Sequence, residues 1–257
     1  MSDLRCDGFL GGRLQIWQPV RGYRAGADAV MLAAACPARA GETVLELGCG
    51  VGVASLCLGA RVSGLPLTGV ELQADYAELA RRNAALNRAA LRGGNMVVHC
   101  ADLAALPADL RQAGFHHVIA NPPYFATGTA APDAGRAIAR HELTALAAWI
   151  DVALTRLRPG GALSLIHRPE RLETILAALG GRAGAVAVLP VAARPGGAAG
   201  RVIVGAIKGA RAPLRLLAPF VMHTAAAHAG GAEGLTPAAQ AVLREGAPIT
   251  GLFTKHP

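Results

Sequence analysis

The chain has 257 residues, of which 53% are hydrophobic and 16% are charged, and its formal net charge is +8 at pH 7. This length is enough to bury one large core, so we treat the chain as one domain. Arg, Gly or Pro interrupts the apolar runs well before the roughly 18 residues that a membrane-spanning helix needs. Charged residues, Asp3, Arg5 and Asp7, precede any apolar run at the N-terminus, which argues against a secretory signal. We therefore expect a cytoplasmic protein with no membrane partner.

The basic excess lies in the last part of the chain. Residues 1–157 hold 14 basic and 13 acidic side chains, whereas residues 158–257 hold 11 basic and 4 acidic ones. Such an excess indicates a polyanion-binding surface, although a composition rich in Arg, Ala and Gly is also typical of a GC-rich genome. The five cysteines form no Cys-x-x-Cys pair, and no His cluster has metal-ligand spacing, so we expect reduced thiols and no metal site.

The N-terminal 40 residues show no regular alternation, but they contain one helix signal. Asp28 precedes an apolar stretch at residues 29–36, which Pro37 ends. An acidic residue in this place is typical of a helix N-cap, so we predict a helix capped by Asp28.

From residue 43 onwards, short apolar runs alternate with segments of helical periodicity. Each run predicts a strand that is buried on both faces. The predicted strands are residues 43–47, 67–70, 96–100, 117–120, 162–167, 185–189 and 201–207, and the clearest predicted helices are residues 74–90 and 143–157. This alternation predicts an α/β fold with a mostly parallel sheet, right-handed crossovers and helices on both faces.

A glycine-rich turn follows the first predicted strand, with the sequence Glu46-Leu47-Gly48-Cys49-Gly50-Val51-Gly52. Glycines let the backbone bend sharply and let a ligand approach the main chain. A dinucleotide fingerprint needs Gly or Ala where Val53 stands, which disfavours a nicotinamide-dependent oxidoreductase. The spacing of Gly48, Gly50 and Gly52 fits the nucleoside-binding turn of methyltransferases instead, with Glu46 placed to reach a methionine ammonium. A tight strand-to-helix turn without a ligand is the structural alternative.

Two further acids follow the next two predicted strands. Glu71, which precedes Leu72, is placed to accept the hydroxyls of a ribose, and Leu72 is counted with it as a cofactor contact. Asp102 follows the third strand and is placed to accept an adenine amino group. Each acid alone could be a solvated loop residue. Together with Glu46, they indicate S-adenosylmethionine as the cofactor.

The sequence Asn121-Pro122-Pro123-Tyr124 follows the fourth predicted strand, at the edge where open parallel sheets bind ligands. A conjugated amine is a poor nucleophile because its lone pair is delocalised. The Asn121 side chain and the Pro122 carbonyl can each accept one amine hydrogen, and the two prolines, Pro122 and Pro123, hold the turn rigid. Tyr124 offers a flat face for a target base. The turn therefore predicts direct methyl transfer to a planar amine, with Asn121 also beside the cofactor; a rigid loop is the alternative.

With these motifs the chain resembles the bacterial valine-tRNA adenine-N6 methyltransferases over roughly residues 7–245. The resemblance is also carried by Tyr23-Arg24-Ala25-Gly26-Ala27-Asp28, by Phe125 and by Ala139-Arg140-His141-Glu142. It implies a Rossmann-like class I methyltransferase fold with a seven-stranded sheet, and an adenine N6 amine in tRNA as the target. It also implies that the segment from Tyr23 to Asp28 and Arg140-His141-Glu142 border the pocket of the target base, with Tyr23, Arg24, Phe125 and Arg140 as substrate contacts.

Other substrates remain open, because the Asn-Pro-Pro-Tyr turn is shared with rRNA base methyltransferases and protein glutamine methyltransferases. The glutamine enzymes usually carry a helical N-terminal domain, for which about 40 residues before the first strand are too few. A non-catalytic RNA-binding scaffold would not need the three acids. We expect one domain in which residues 1–40 close over the cofactor and substrate, residues 41–208 form the catalytic core, and residues 209–257 form a basic C-terminal portion.

The remaining candidates have ordinary structural alternatives. Trp149 lies on the apolar face of its predicted helix and is expected in the core, and Phe125 fits either the core or the pocket. His141 and His167 receive no catalytic role. Four basic residues cluster in the last predicted strand and after it, where the sequence allows a phosphate-contacting surface or a solvated basic edge: Arg201, Lys208, Arg211 and Arg215.

Overall fold

The computed structural model describes residues 3–124, 146–224 and 234–254. Its first element is an antiparallel hairpin of β1 (Leu4–Phe9) and β2 (Leu14–Pro19). The sequence of residues 1–40 shows no regular alternation, so this hairpin was not predicted. In β2, Leu14 and Ile16 are buried and Gln15 is exposed, but no residue of β1 is fully buried, so β1 shows no inward apolar series.

The central sheet has nine strands among the described residues. Seven are β3 (Val44–Leu47), β4 (Pro66–Glu71), β5 (Asn95–Cys100), β6 (Phe115–Ala120), β7 (Leu157–His167), β8 (Ala183–Ala192) and β9 (Ala199–Lys208), and two are the short β10 (Arg215–Leu216) and β11 (Phe220–Val221). Their order is β10-β8-β9-β7-β6-β3-β4-β5, and β11 also pairs with β8. Only β9 runs antiparallel to its neighbours. All seven predicted strands form, and the two short strands extend the sheet beyond the seven expected.

Helices cover both faces of the sheet, as predicted. They are α1 (Ala27–Ala35), α2 (Val53–Arg61), α3 (Ala74–Leu86), α4 (Ala108–Gln112), α5 (Leu146–Arg156), α6 (Leu172–Leu179), α7 (Pro237–Gln240) and α8 (Thr250–Thr254). Neighbouring strand residues point to opposite faces. In β6, Ile119 joins the buried cluster that contains α1 and α2, whereas Val118 joins the cluster that contains α5 and α6.

Helix α3 ends earlier than predicted, and α5 agrees with its prediction where it is described. The chain leaves α3 after Leu86 and forms a 3-10 turn at Arg88–Leu91, followed by Arg92 in the left-handed region with a φ of 43°. The predicted helix at residues 143–157 appears as α5, and residues 143–145 lie outside the described residues. No helix in the described part of the chain is long and apolar enough to cross a membrane.

The prediction that Asp28 caps α1 is wrong. The N-cap position belongs to Gly26, with no side-chain hydrogen bond there, and Asp28 lies in the first turn of the helix. Its carboxylate instead accepts hydrogen bonds from Tyr124 and Arg201. Those partners are 96 and 173 residues away along the chain, so a local pattern could not reveal them.

Arg201 does not lie with the other basic residues of the predicted phosphate-contacting surface, and phosphate binding by that surface stays a prediction. Because β9 runs antiparallel, Arg201 near its start and Lys208 at its end lie at opposite edges of the sheet. The Lys208 ammonium donates to the Leu157 carbonyl at 2.6 Å, and Arg215 donates to the Phe253 carbonyl. Arg201, Lys208 and Arg215 thus make separate intramolecular contacts.

Candidate active site

A cavity of about 870 Å³ lies at the carboxyl edge of the parallel strands. Nine of the predicted cofactor, catalytic and substrate residues line it: Tyr23, Arg24, Gly48, Gly50, Glu71, Asn121, Pro122, Pro123 and Tyr124. They come from the segment before α1, from the end of β4 and from the turns that follow β3 and β6. Polar groups from distant parts of the chain therefore meet in one concave site, at the edge where open α/β sheets bind ligands.

The glycine turn after β3 forms one wall of this cavity. Gly48 and Gly50 have φ values of 62° and 54°, in the left-handed region that favours glycine. A Cβ on Gly48 would overlap the indole ring of Trp149, and a Cβ on Gly50 would come within 3.5 Å of the Tyr23 ring. Gly48 and Gly50 both line the cavity, so the main chain of the turn borders the space for a ligand.

Glu71 ties this turn to β4. One carboxylate oxygen accepts the Gly50 N–H at 2.9 Å, and the other accepts the Gln73 N–H at 2.9 Å. Burial of the side chain raises the pKa of Glu71, against the opposing effect of these N–H donors. Each oxygen keeps further capacity to accept a hydrogen bond from a ligand hydroxyl.

Glu46 lies behind the turn and does not line the cavity. Its Oε2 accepts the Ser55 N–H at 2.9 Å and the Ser55 hydroxyl at 2.5 Å, in the first turn of α2. Burial raises the pKa of Glu46 to about 7. Gly52 is the N-cap residue of α2 and is also outside the cavity lining. The contacts of Glu46 and Gly52 with a cofactor therefore stay predictions.

Leu72 and Asp102 lie outside the cavity wall. The Leu72 side chain is exposed, and Asp102 is exposed with its Oδ1 accepting the Ala104 N–H at 2.8 Å. Asp102 thus caps the short 3-10 turn that follows β5. Its proposed contact with an adenine, like that of Leu72, stays a prediction.

The turn after β6 brings Asn121 and Tyr124 into contact. The Tyr124 hydroxyl lies 2.7 Å from Asn121 Oδ1 and 2.8 Å from Asp28 Oδ2, and burial raises the pKa of this hydroxyl. The Arg201 guanidinium carbon lies 4.5 Å from the centre of the Tyr124 ring. The His167 ring packs edge-on against the same ring, with centroids 5.0 Å apart. Because Arg201 lies where a target base was predicted to stack, that role of Tyr124 stays a prediction.

The sequence pattern assigned three residues of the cavity to other roles. Asp28 was assigned to a helix cap and Arg201 to a phosphate surface, yet both line the cavity. Trp149 is buried in the core, as predicted, but it also reaches the cavity beneath Gly48. The two predicted substrate contacts Phe125 and Arg140 lie outside the described residues.

The strand order, with one antiparallel strand and the cavity beside β3, defines the class of protein: this is the fold of the S-adenosylmethionine-dependent methyltransferases. Residues 26–187 match the methyltransferase small domain family, and the chain belongs to that family.

Similar proteins agree with this assignment. The tRNA1(Val) (adenine(37)-N6)-methyltransferase of Shewanella baltica (strain OS195) is 36% identical over 150 residues, which are 56% of this chain and 60% of that protein. The protein of the same name from Dickeya chrysanthemi (strain Ech1591) is 32% identical over 177 residues, 68% of each chain. The crystal structure of a predicted O-methyltransferase from Agrobacterium tumefaciens has 32% identity and a TM-score of 0.68, and the match covers 86% of this chain and 97% of that one. The family resemblance and the predicted fold class are confirmed.

Proposed function

We propose that this chain transfers a methyl group from S-adenosylmethionine to the N6 amine of an adenine in RNA, with tRNA as the class of RNA. The observation on which this proposal rests is the cavity that Glu71, the glycine turn and the Asn-Pro-Pro-Tyr turn share. The two relatives described above are named for adenine-N6 methylation of a tRNA, which supports the choice of base and of RNA. A tRNA substrate implies a cytoplasmic reaction.

The residues of the cavity fit S-adenosylmethionine. Gly48 and Gly50 place main chain at the cavity wall, and Glu71 has two oxygens with which to accept the two hydroxyls of a ribose. When bound, S-adenosylmethionine supplies a methyl group on a positively charged sulfur. Glu71 would hold the nucleoside, and Glu46 would add negative charge behind the turn for the methionine ammonium.

The turn after β6 would bind the amine that receives the methyl group. Asn121 and the Pro122 carbonyl would each accept one amine hydrogen, which draws the nitrogen lone pair out of conjugation with the ring. This geometry exists fully only in the transition state, so stabilising it lowers the barrier. The prolines at 122 and 123 restrict the backbone, which keeps the Pro122 carbonyl oriented.

The N-terminal segment and the C-terminal portion have their own proposed places in this function. Residues 1–40 would close over the cofactor and substrate, which the presence of Tyr23 and Arg24 in the cavity lining supports. Residues 41–208 would form the catalytic core, and residues 209–257 would extend it.

The test is to incubate the purified chain with methyl-labelled S-adenosylmethionine and, separately, with tRNA, rRNA and protein from cells that lack the gene. Nucleosides and peptides are then identified by mass spectrometry. We expect labelled N6-methyladenosine from tRNA. Label on a protein glutamine, or on rRNA alone, would overturn the proposed substrate.

A further inference from the structure

The Asp28 carboxylate joins three separate segments of the chain at the cavity. Its Oδ2 accepts the Tyr124 hydroxyl at 2.8 Å and the Arg201 Nε–H at 2.8 Å. Asp28 belongs to α1, Tyr124 to the turn after β6, and Arg201 to β9. The Asp28 and Arg201 side chains are only 30% and 31% exposed, so solvent screens their ion pair less than it screens a surface pair.

The Tyr124 hydroxyl has two acceptors and only one proton. Asn121 Oδ1 lies 2.7 Å from the hydroxyl oxygen, almost the same distance as the Asp28 carboxylate. A hydroxyl can donate to only one of them at a time. Because a hydrogen bond to an ionised acceptor is stronger than one to a neutral amide, the carboxylate competes well for this proton.

This competition affects the Asn121 side-chain oxygen, which the proposed reaction needs as the acceptor of the target amine. When the hydroxyl donates to Asn121, it takes up acceptor capacity of the side-chain oxygen that would bind the target amine. When it donates to Asp28, the Asn121 oxygen is released for the amine. Arg201 holds the carboxylate in place through its Nε–H, and its guanidinium carbon lies 4.5 Å from the centre of the Tyr124 ring.

We propose that Asp28 is a positioning residue for methyl transfer: it takes the Tyr124 hydroxyl proton and so leaves the Asn121 side-chain oxygen to the target amine. Arg201 supports this role by fixing the carboxylate. The inference rests on the proposed adenine methylation and goes beyond it, because it assigns a function to an acid outside the Asn-Pro-Pro-Tyr turn.

A purely structural role of Asp28 would have a different signature. The residue lies in the first turn of α1, where a negative charge also stabilises the helix dipole. That contribution does not depend on the Tyr124 hydroxyl, whereas the proposed role does. The two roles can therefore be separated by removing the hydroxyl.

The experiment is a double-mutant cycle of Asp28→Asn and Tyr124→Phe, measured by kcat for tRNA methylation and by S-adenosylmethionine affinity in calorimetry. Asp28→Asn should lower kcat about tenfold with the cofactor Kd unchanged, because the hydroxyl then has two neutral amide oxygens as acceptors and is shared with Asn121. In the Tyr124→Phe background, the same Asp28 substitution should change kcat less than about twofold. Asp28→Ala enters the same cycle as a second variant. Asp109→Asn, an exposed charge in the first turn of α4, is the matched control and should leave kcat unchanged.

Equal effects of Asp28→Asn in both backgrounds would overturn the inference, as would a parallel loss of cofactor affinity or an equal loss of kcat in the Asp109 control. Those outcomes leave the proposed function standing, because they require an active wild-type chain. A wild-type chain that binds S-adenosylmethionine but methylates no adenine would overturn the proposed function itself.

Discussion

Asn121 would act through a single side-chain oxygen, and its removal should separate chemistry from cofactor binding. Asn121→Ala removes an acceptor that is used mainly in the transition state. We expect kcat to fall by at least about 100-fold, while the Kd of S-adenosylmethionine changes less than about twofold. Single-turnover rates and calorimetry measure the two quantities.

Asn95→Ala is the matched control, because Asn95 is exposed at the start of β5, at the edge of the sheet opposite the cavity. It should change neither quantity. If Asn121→Ala weakened cofactor binding as much as turnover, Asn121 would be a cofactor ligand rather than the acceptor of the target amine.

The sequence was sufficient to place at the cavity the residues that follow strands. It was insufficient to place those that meet only through tertiary structure. Glu71 and Asn121 were recognisable because each directly follows an apolar run, and parallel strands bring such positions to one edge. Asp28 was misassigned because an acid before an apolar stretch has the same local pattern whether it caps a helix or binds a distant tyrosine. Asp102 shows the reverse case, since its position after a strand also suits the cap of a short turn.

At the scale of elements, Glu46 links β3 to the start of α2. The folded chain binds the Glu46 proton more tightly than the unfolded chain, because burial raises the pKa from 4.5 to about 7. The stabilisation that this proton provides is therefore complete below pH 4.5 and is lost as the pH rises through about 7.

Glu46→Gln should flatten the pH dependence of the free energy of unfolding in this window. The difference in the free energy of unfolding between wild type and variant should change by up to roughly 3 kcal/mol between pH 4.5 and pH 8. Urea unfolding at a series of pH values measures it, with Glu173→Gln, an exposed acid in the first turn of α6, as the control. An unchanged pH slope in the Glu46 variant would show that its proton is not held more tightly in the folded state.

Helix α3 holds the hairpin through two buried asparagines, Asn83 and Asn87, which are one helical turn apart. Asn83 accepts the Trp17 N–H at 2.8 Å and donates to the Trp17 and Val51 carbonyls at 3.0 Å each. Asn87 makes the equivalent pair of bonds with the backbone of Gln15. The two amides thus occupy the free edge of β2 as a neighbouring strand would. The four-residue spacing of these two asparagines is visible in the sequence, but no prediction of this contact was based on it.

Asn83→Ala should destabilise the fold by about 3 kcal/mol, because it removes three hydrogen bonds and leaves buried backbone groups without partners. The free energy of unfolding in urea measures this loss. The exposed Asn95→Ala variant should stay within about 0.5 kcal/mol of wild type. A similarly small change for Asn83→Ala would mean that the hairpin does not unfold together with the core.

At the scale of the whole molecule, much of the positive charge serves the fold. Several arginines donate to carbonyls at the ends of helices, where a positive charge also interacts favourably with the helix dipole. Arg13 donates to the carbonyl of Glu245, which ends a π-helical turn at Ala241–Glu245, Arg61 to those of Ala33 and Cys36, Arg92 to that of Ala60 and Arg156 to that of Leu110. The net charge of +8 is therefore a poor guide to where RNA binds.

The position of each charge relative to the cavity is the better guide, and two exposed arginines allow a matched comparison. Arg171 follows β7 at the cavity edge of the sheet, whereas Arg211 follows β9 at the opposite edge. If tRNA lies across the cavity, Arg171→Ala should weaken tRNA binding several-fold and lower the slope of log K against log salt by about 1. Arg211→Ala should leave both unchanged, although it removes the same charge.

Filter binding at several salt concentrations measures both effects. Equal losses in the two variants would show that net charge alone governs the affinity, and a loss confined to Arg211→Ala would move the RNA to the other edge of the sheet.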